Sequence, residues 1–145
     1  MTTIMNPGRP ATEAEIATLE RRVGFGLPGQ FRAFLLKSDG GRPSPNIVDI
    51  DGFGATDVQV IFGIGRDVES SRLDWNFDTF RERLRVGLVP IGCDSGGNLF
   101  VISRRDAGAV VYLDLEAVYG DLEAATPEYP VAADFDEFIG RLRDL

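Results

Sequence analysis

One block near the start restricts the fold of this chain more than any other: Gly24-Phe25-Gly26-Leu27-Pro28-Gly29-Gln30-Phe31-Arg32-Ala33-Phe34-Leu35-Leu36-Lys37-Ser38-Asp39-Gly40-Gly41. It reads as the hinge and second arm of a helical hairpin. Just upstream, Thr12 and Glu15 form a T-x-x-E capping box, in which each side chain satisfies a backbone donor of the other. Ile16, Leu19 and Val23 follow at helical spacing and form one apolar stripe. Gly24 stops that helix, Leu27 packs at the joint, and Pro28 suits a first helical position, where its missing N–H would be unpaired anyway. The second helix offers Phe31, Phe34 and Leu35 as its core face. It is predicted to end at Asp39-Gly40-Gly41, where glycine takes the left-handed cap conformation without a Cβ clash.

Beyond the hairpin, Arg42-Pro43-Ser44-Pro45 is a loop of breakers that releases the chain into extended structure. Strands are predicted over 46–51 and 58–64, where β-branched and aromatic residues gather. Residues 67–85 read as a less regular helix, with Val68, Leu73, Phe77, Phe80 and Leu84 available for burial. Strands over 88–91 and 99–103 flank a glycine turn, and a third over 110–115 follows an Asp106-Ala107-Gly108 turn. Pro127 and Pro130 argue against a long element in 116–130, and a last helix starts near Asp134. The predicted fold is therefore α+β: an antiparallel sheet with an N-terminal helical hairpin and a C-terminal helix packed on it. Its 145 residues suit one domain, expected over 12–145 after a flexible N-terminal arm over 1–11.

The arm lacks the apolar core of a signal peptide, and no stretch approaches the ~20 apolar residues of a membrane span. A lone cysteine, Cys93, can form no internal disulfide, which points to a reducing, cytoplasmic setting. Histidine is absent altogether, so the usual general base and the commonest metal ligand are missing. That excludes catalytic triads and Cys/His zinc sites, and leaves only carboxylate, lysine or serine chemistry open.

Several segments imitate chemical motifs. Gly24-Phe25-Gly26-Leu27-Pro28-Gly29 matches G-x-G-x-x-G, but a helix precedes it and Pro28 removes a donor, so a nucleotide cradle is rejected in favour of a turn. Asp94-Ser95-Gly96-Gly97-Asn98 lacks the later bidentate acid of a calcium loop and is read as a tight turn bonding its own backbone. Asp49 and Asp51 share a strand face at a turn, and no third ligand is apparent. Trp75 is read as a half-buried packing residue and Cys93 as a small core residue with no activating partner. No catalytic residue, metal or cofactor is expected.

The hairpin pattern L-P-x-x-F-x-x-F-L followed by S-D-G-G resembles the opening of the SUKH superfamily, the domain of the yeast Smi/Knr-type cell-wall regulators and of many bacterial toxin-immunity proteins. Leu88-Val89-Pro90-Ile91-Gly92-Cys93-Asp94-Ser95-Gly96-Gly97-Asn98-Leu99-Phe100 is similar to that family's central strand, glycine turn and strand. Ala133-Asp134-Phe135-Asp136-Glu137-Phe138-Ile139 with Leu142 is similar to its closing helix. The resemblance implies a non-enzymatic protein-binding domain, in a bacterial setting an immunity protein that neutralises a cognate polymorphic toxin by direct binding. A regulatory scaffold of the yeast type is the alternative, and a carboxylate-based hydrolase a third class.

Charge bears on the partner. The chain carries 15 basic and 23 acidic side chains, a net charge of −8. Nine acids and no Lys or Arg fall between Asp106 and Glu137, so the rest of the chain is almost neutral. A solvated, solubilising surface accounts for such a window; so does an anionic face that steers a cationic partner. On the second account Asp114, Glu116, Asp121, Glu123 and Glu128 make the contact, with Tyr119 and Tyr129 as amphipathic anchors. The expected partner is a basic toxin, a nuclease being one such class; nucleic acid itself is disfavoured because phosphates need a basic footprint. No membrane partner is expected.

Overall fold

The structure, a computed structural model, describes residues 2–105 and 108–145. The first helix, α1 (Glu13–Val23), begins as its sequence dictates: Thr12 Oγ1 accepts from the Glu15 N–H at 3.1 Å, and the Thr12 N–H donates to Glu15 Oε1 at 2.9 Å. These bonds, the backbone one foremost, hold the Glu15 carboxyl below its ordinary range. Gly24, at φ 92°, closes the helix with its N–H on the Glu20 carbonyl. The joint is tied down by the Leu27 N–H on Glu20 Oε2 at 2.7 Å, and α2 (Gly29–Lys37) follows with Pro28 as its N-cap. Phe31 and Leu35 are buried, whereas Phe34 lies half-exposed at the rim, stacked beside Phe31 and tilted against Phe135.

The end of α2 departs from expectation. Ser38, in extended conformation, is the cap, and Gly40 and Gly41 lie beyond it at φ 80° and 144°. Their role is close approach. A Cβ on Gly40 would fall 2.6 Å from the Ile61 carbonyl oxygen, so only glycine lets this segment lie on the backbone of the next strand layer. Asp39 completes the junction: it is 3% exposed, and its two oxygens accept the N–H groups of Ile64 and Gly65 at 2.6 and 2.7 Å.

The sheet is a five-stranded antiparallel meander in the order β5-β6-β7-β8-β9, formed by Val60–Ile61, Leu88–Cys93, Leu99–Ser103, Val110–Leu113 and Glu128–Ala132. Register shifts, between Pro90 and Gly92 and between Val110 and Val111, bend it. Every residue of the two central strands is buried, because layers cover the sheet. Phe100 and Tyr112 stand opposite one another across them, capped by Phe138 from α4 (Phe135–Gly140) at 5.3 Å from Phe100 and by Phe53 at 4.7 Å from Tyr112. Phe53 sits in the turn of a separate hairpin, β3 (Ile47–Ile50) and β4 (Gly54–Asp57). The chain is thus a single compact α+β domain.

Three local expectations change. The strand expected over 58–64 is only β5, too short to stand alone and held on its outer side by a bridge between Gly41 and Ile61. The helix expected over 67–85 is a short α3 (Leu73–Thr79) between two 3-10 turns, Glu69–Ser71 and Arg81–Arg83. The segment read as a flexible arm contains β1 (Thr3–Met5), which pairs with β2 (Arg42–Ser44), while Ala11 donates to the Leu35 carbonyl at 2.9 Å. Asp106 and Ala107 of the expected turn lie outside the described residues.

Burial ranks the two hairpin rings. Phe31→Ala should cost about 3–5 kcal/mol through lost burial and the cavity left behind, and Phe34→Ala clearly less. Urea denaturation midpoints measure both. Equal shifts would contradict the packing described for α2.

Candidate interaction surface

The middle of the acidic window, between Asp114 and Pro127, forms a surface loop that leaves β8 and returns as β9. Its entry is held by Asp114, whose Oδ1 accepts from the Ala117 N–H at 3.2 Å within a 3-10 turn over Glu116–Val118. Val118 points inward and is buried, while Tyr119 is 93% and Leu122 73% exposed. Gly120 turns the chain at φ 78°, and Asp121 Oδ1 accepts from the Glu123 and Ala124 N–H groups at 3.1 and 3.2 Å. The loop therefore carries its two apolar side chains outward on a backbone held by its own carboxylates.

Two arginines staple the loop from outside. Arg83 donates to the carbonyls of Val118 at 3.1 Å and Ala124 at 3.4 Å, and Arg85 spans both oxygens of Glu128 at 3.1 and 3.2 Å. The face is therefore less uniformly anionic than its sequence. Glu116 is tied in turn to Asn98, its carboxylate accepting from Nδ2 at 2.9 Å and its N–H donating to Oδ1 at 3.1 Å. Among the described residues, Glu123 alone of the five acids has a side chain with no hydrogen-bond or ion-pair partner. Tyr129 is half-buried against Phe53, with ring centres 5.4 Å apart, and belongs to the edge of the core.

Beneath the loop lies a buried carboxylate. Asp94 is 3% exposed, and its Oδ1 accepts from the N–H groups of Gly96 and Asn98 at 3.0 and 2.9 Å. Its Oδ2 accepts from Thr56 Oγ1 at 2.9 Å, Asn98 Nδ2 at 3.3 Å and the Tyr112 hydroxyl at 2.5 Å. The turn expected from Asp94 and Asn98 is present, with the turn's carboxylate serving the tertiary fold as well. Five protein donors occupy its oxygens, which leaves that carboxylate committed to structure rather than to a cation. Asp49, weighed together with Asp51 as a ligand, forms a bidentate pair with Arg143 at 2.7 and 2.8 Å that holds its carboxyl below the ordinary range.

The reactive side chains here are quiet. Cys93, half-buried at the end of β6, has its thiol pushed up to about 11 by burial and then by the nearby charges of Asp94 and Asp57. The Ser95 hydroxyl donates to Asp57 at the surface. Tyr112 is held protonated far above its ordinary range, first by burial and then by its bond to Asp94.

The chain matches the SMI1 / KNR4 family (SUKH-1) over residues 10–141. It belongs to that family. Comparison with curated proteins finds no significant match. Membership supports an immunity or regulatory type of domain with proteins as partners, in a family that is generally non-catalytic. Among the described residues, no helix of this SUKH-1 domain is long and apolar enough to cross a membrane.

What sequence reasoning missed was the support of the loop. Arg83, Thr56 and Asn98 come from elements far from it in the chain; the alternating Arg81, Arg83 and Arg85, set ahead of a window without basic residues, was the one available signal.

Tyr112 supplies a pH test. Its folded pKa lies above the unfolded value near 10, so its contribution to stability is intact below pH 10 and is lost as pH rises toward the folded value. In an alkaline titration followed by tyrosinate absorbance, Tyr112 should ionise only as the fold is lost, and Tyr112→Phe should delete that late step. A late step that persists in Tyr112→Phe would contradict the assignment.

Proposed function

We propose that this SUKH-1 domain is a non-enzymatic immunity protein of bacterial type, resident in the cytoplasm, that neutralises a cognate toxin by covering it. The observation that carries the reading is the loop tip: Tyr119 and Leu122 stand in solvent on a backbone fixed by Arg83, Asp114 and Asp121. Leaving a tyrosine and a leucine exposed side by side gains nothing for an isolated fold, whereas a rigid aromatic anchor on a preorganised loop is what a tight interface uses.

The acids around the tip then divide by role. Asp121 and Glu123 flank Leu122 and supply the field that steers a basic partner such as a nuclease toxin, whose own substrate requires positive charge. Asp114, Glu116, Glu128 and Tyr129 frame the contact from below, where they are already engaged with Ala117, Asn98, Arg85 and Phe53. Inhibition follows from occlusion alone and needs no bond chemistry from this chain.

The test uses the cognate toxin identified by co-purification from the source organism, with association and dissociation followed by stopped flow at low and high salt. Tyr119→Ala should speed dissociation and weaken Kd by about tenfold or more. Glu123→Lys should slow association and flatten its salt dependence, with folding intact because the side chain is exposed and unpaired among the described residues. Rates indifferent to both substitutions would remove this loop from the interface.

A further inference from the structure

A second surface, apart from the loop, has the opposite character. Residues from the N-terminal segment, β2, β5 and the stretch leading into α3 enclose an open groove of about 1040 Å3. It lies at or above the upper end of small-molecule pockets, which span roughly 300–1,000 Å3, and its openness suits a length of chain better than a compact ligand. Three arginines line it, Arg9, Arg42 and Arg66, against one carboxylate, Asp67. In a protein of net charge −8 this local excess of positive charge stands out against its surroundings.

The cations have no close ion pair among the described residues, although Arg9 lies near enough to Glu15 to help lower that carboxyl. Among the described residues none of the three lies within 4.0 Å of a carboxylate, although six other arginines do. Arg66 is held by main-chain carbonyls instead, donating to Asn6 at 2.9 Å and Asp39 at 3.4 Å, so its guanidinium is positioned without being neutralised. Arg9 and Arg42 are exposed. The β1–β2 pairing, in which Met5 faces Arg42, fixes the backbone that bears them. An apolar strip accompanies the charges. Trp75 is half-buried, as expected of a packing residue, yet it lines the groove together with Phe80, whose ring meets it edge-on at 6.5 Å, and with the exposed Val68.

We propose that this groove binds an extended, acidic segment of a protein partner, its carboxylates on Arg9, Arg42 and Arg66 and an apolar side chain on Trp75. Arginine forks pair with carboxylates in two parallel hydrogen bonds, and tryptophan and arginine are the side chains most enriched at interface hot spots. Nucleic acid is the poorer occupant. A polyphosphate chain needs a long basic track, and here the positive charge is confined to one groove on an anionic protein. This surface stands independently of the loop at Tyr119, and a domain using both would hold its partner at two separate places.

The experiment is selection of short random peptides displayed on phage against the intact domain. Counter-selection uses a variant carrying Arg9→Glu and Arg42→Glu, whose side chains make no hydrogen bond among the described residues. Selected sequences should be enriched in Asp and Glu around an apolar residue. Synthetic copies should change the fluorescence of Trp75, the chain's one tryptophan, and lose at least about tenfold in affinity against the double variant. Tyr119→Ala should leave this binding unaltered, which separates the groove from the loop. Enrichment of basic or neutral sequences, no enrichment at all, or affinity indifferent to charge reversal would overturn the proposal. So would a Trp75 response to a single-stranded oligonucleotide in place of the peptides, or to protein concentration alone, which would indicate a second copy as the occupant.

Discussion

The carboxylate of Asp94 is the point on which the rest of this domain turns. A buried charge is costly unless it is surrounded by donors, and here five converge on two oxygens from three parts of the chain. Thr56 brings the β3–β4 hairpin, Gly96 and Asn98 bring the β6–β7 turn, and Tyr112 brings the middle of β8. The Asn98 N–H and the Tyr112 hydroxyl are buried and would be left without a partner if this acceptor were absent, so Asp94 ties the hairpin, the turn and β8 together. Asn98 carries the constraint one step further, to Glu116 at the foot of the exposed loop. A polar centre thus sets the position of a surface feature that it does not touch.

Asp39 plays a matching role beside the edge strand β5. It receives the N–H groups of Ile64 and Gly65, while Gly8, Gly40 and Gly63 let backbones crowd around it at distances that no Cβ would permit. The Asp39 junction fixes the strand layer and the N-terminal segment that form the arginine-lined groove; the Asp94 centre fixes the loop with Tyr119. Carboxylates whose oxygens are taken up by protein donors in this way hold a scaffold together. A domain with two unlike faces, one anionic with apolar tips and one cationic with a tryptophan, is suited to recognising another protein.

Those parts of the fold that depend on neighbouring residues were legible in the sequence. The Thr12–Glu15 capping box, the stop at Gly24, the burial of Phe31 and Leu35, and the Asp94–Asn98 turn all follow from local rules, as does the apolar character of β6 to β8. What escaped depends on residues meeting across the chain. Gly40 looked like a helix cap because its need for space is set by Ile61, 21 positions away. The N-terminal segment looked free because its strand partner, Arg42–Ser44, reads as a loop of breakers. The acidic window looked uniform because Arg83 and Arg85, which staple and partly neutralise it, precede it by a whole hairpin. The groove was invisible for the same reason: Arg9, Arg42, Arg66 and Trp75 are spread from residue 9 to residue 75 and meet only in three dimensions.

The central claim is that the buried polar centre positions the loop proposed as the docking site, and amide hydrogen exchange in Asn98→Ala tests it most directly. Removing that side chain cuts the link between Asp94 and Glu116 while leaving the apolar sheet in place. The Glu116 amide and its neighbours through Ala124 should lose protection well beyond any change in β7 and β8. Protection that is unchanged in the loop, or that falls evenly across loop and sheet, would contradict the account.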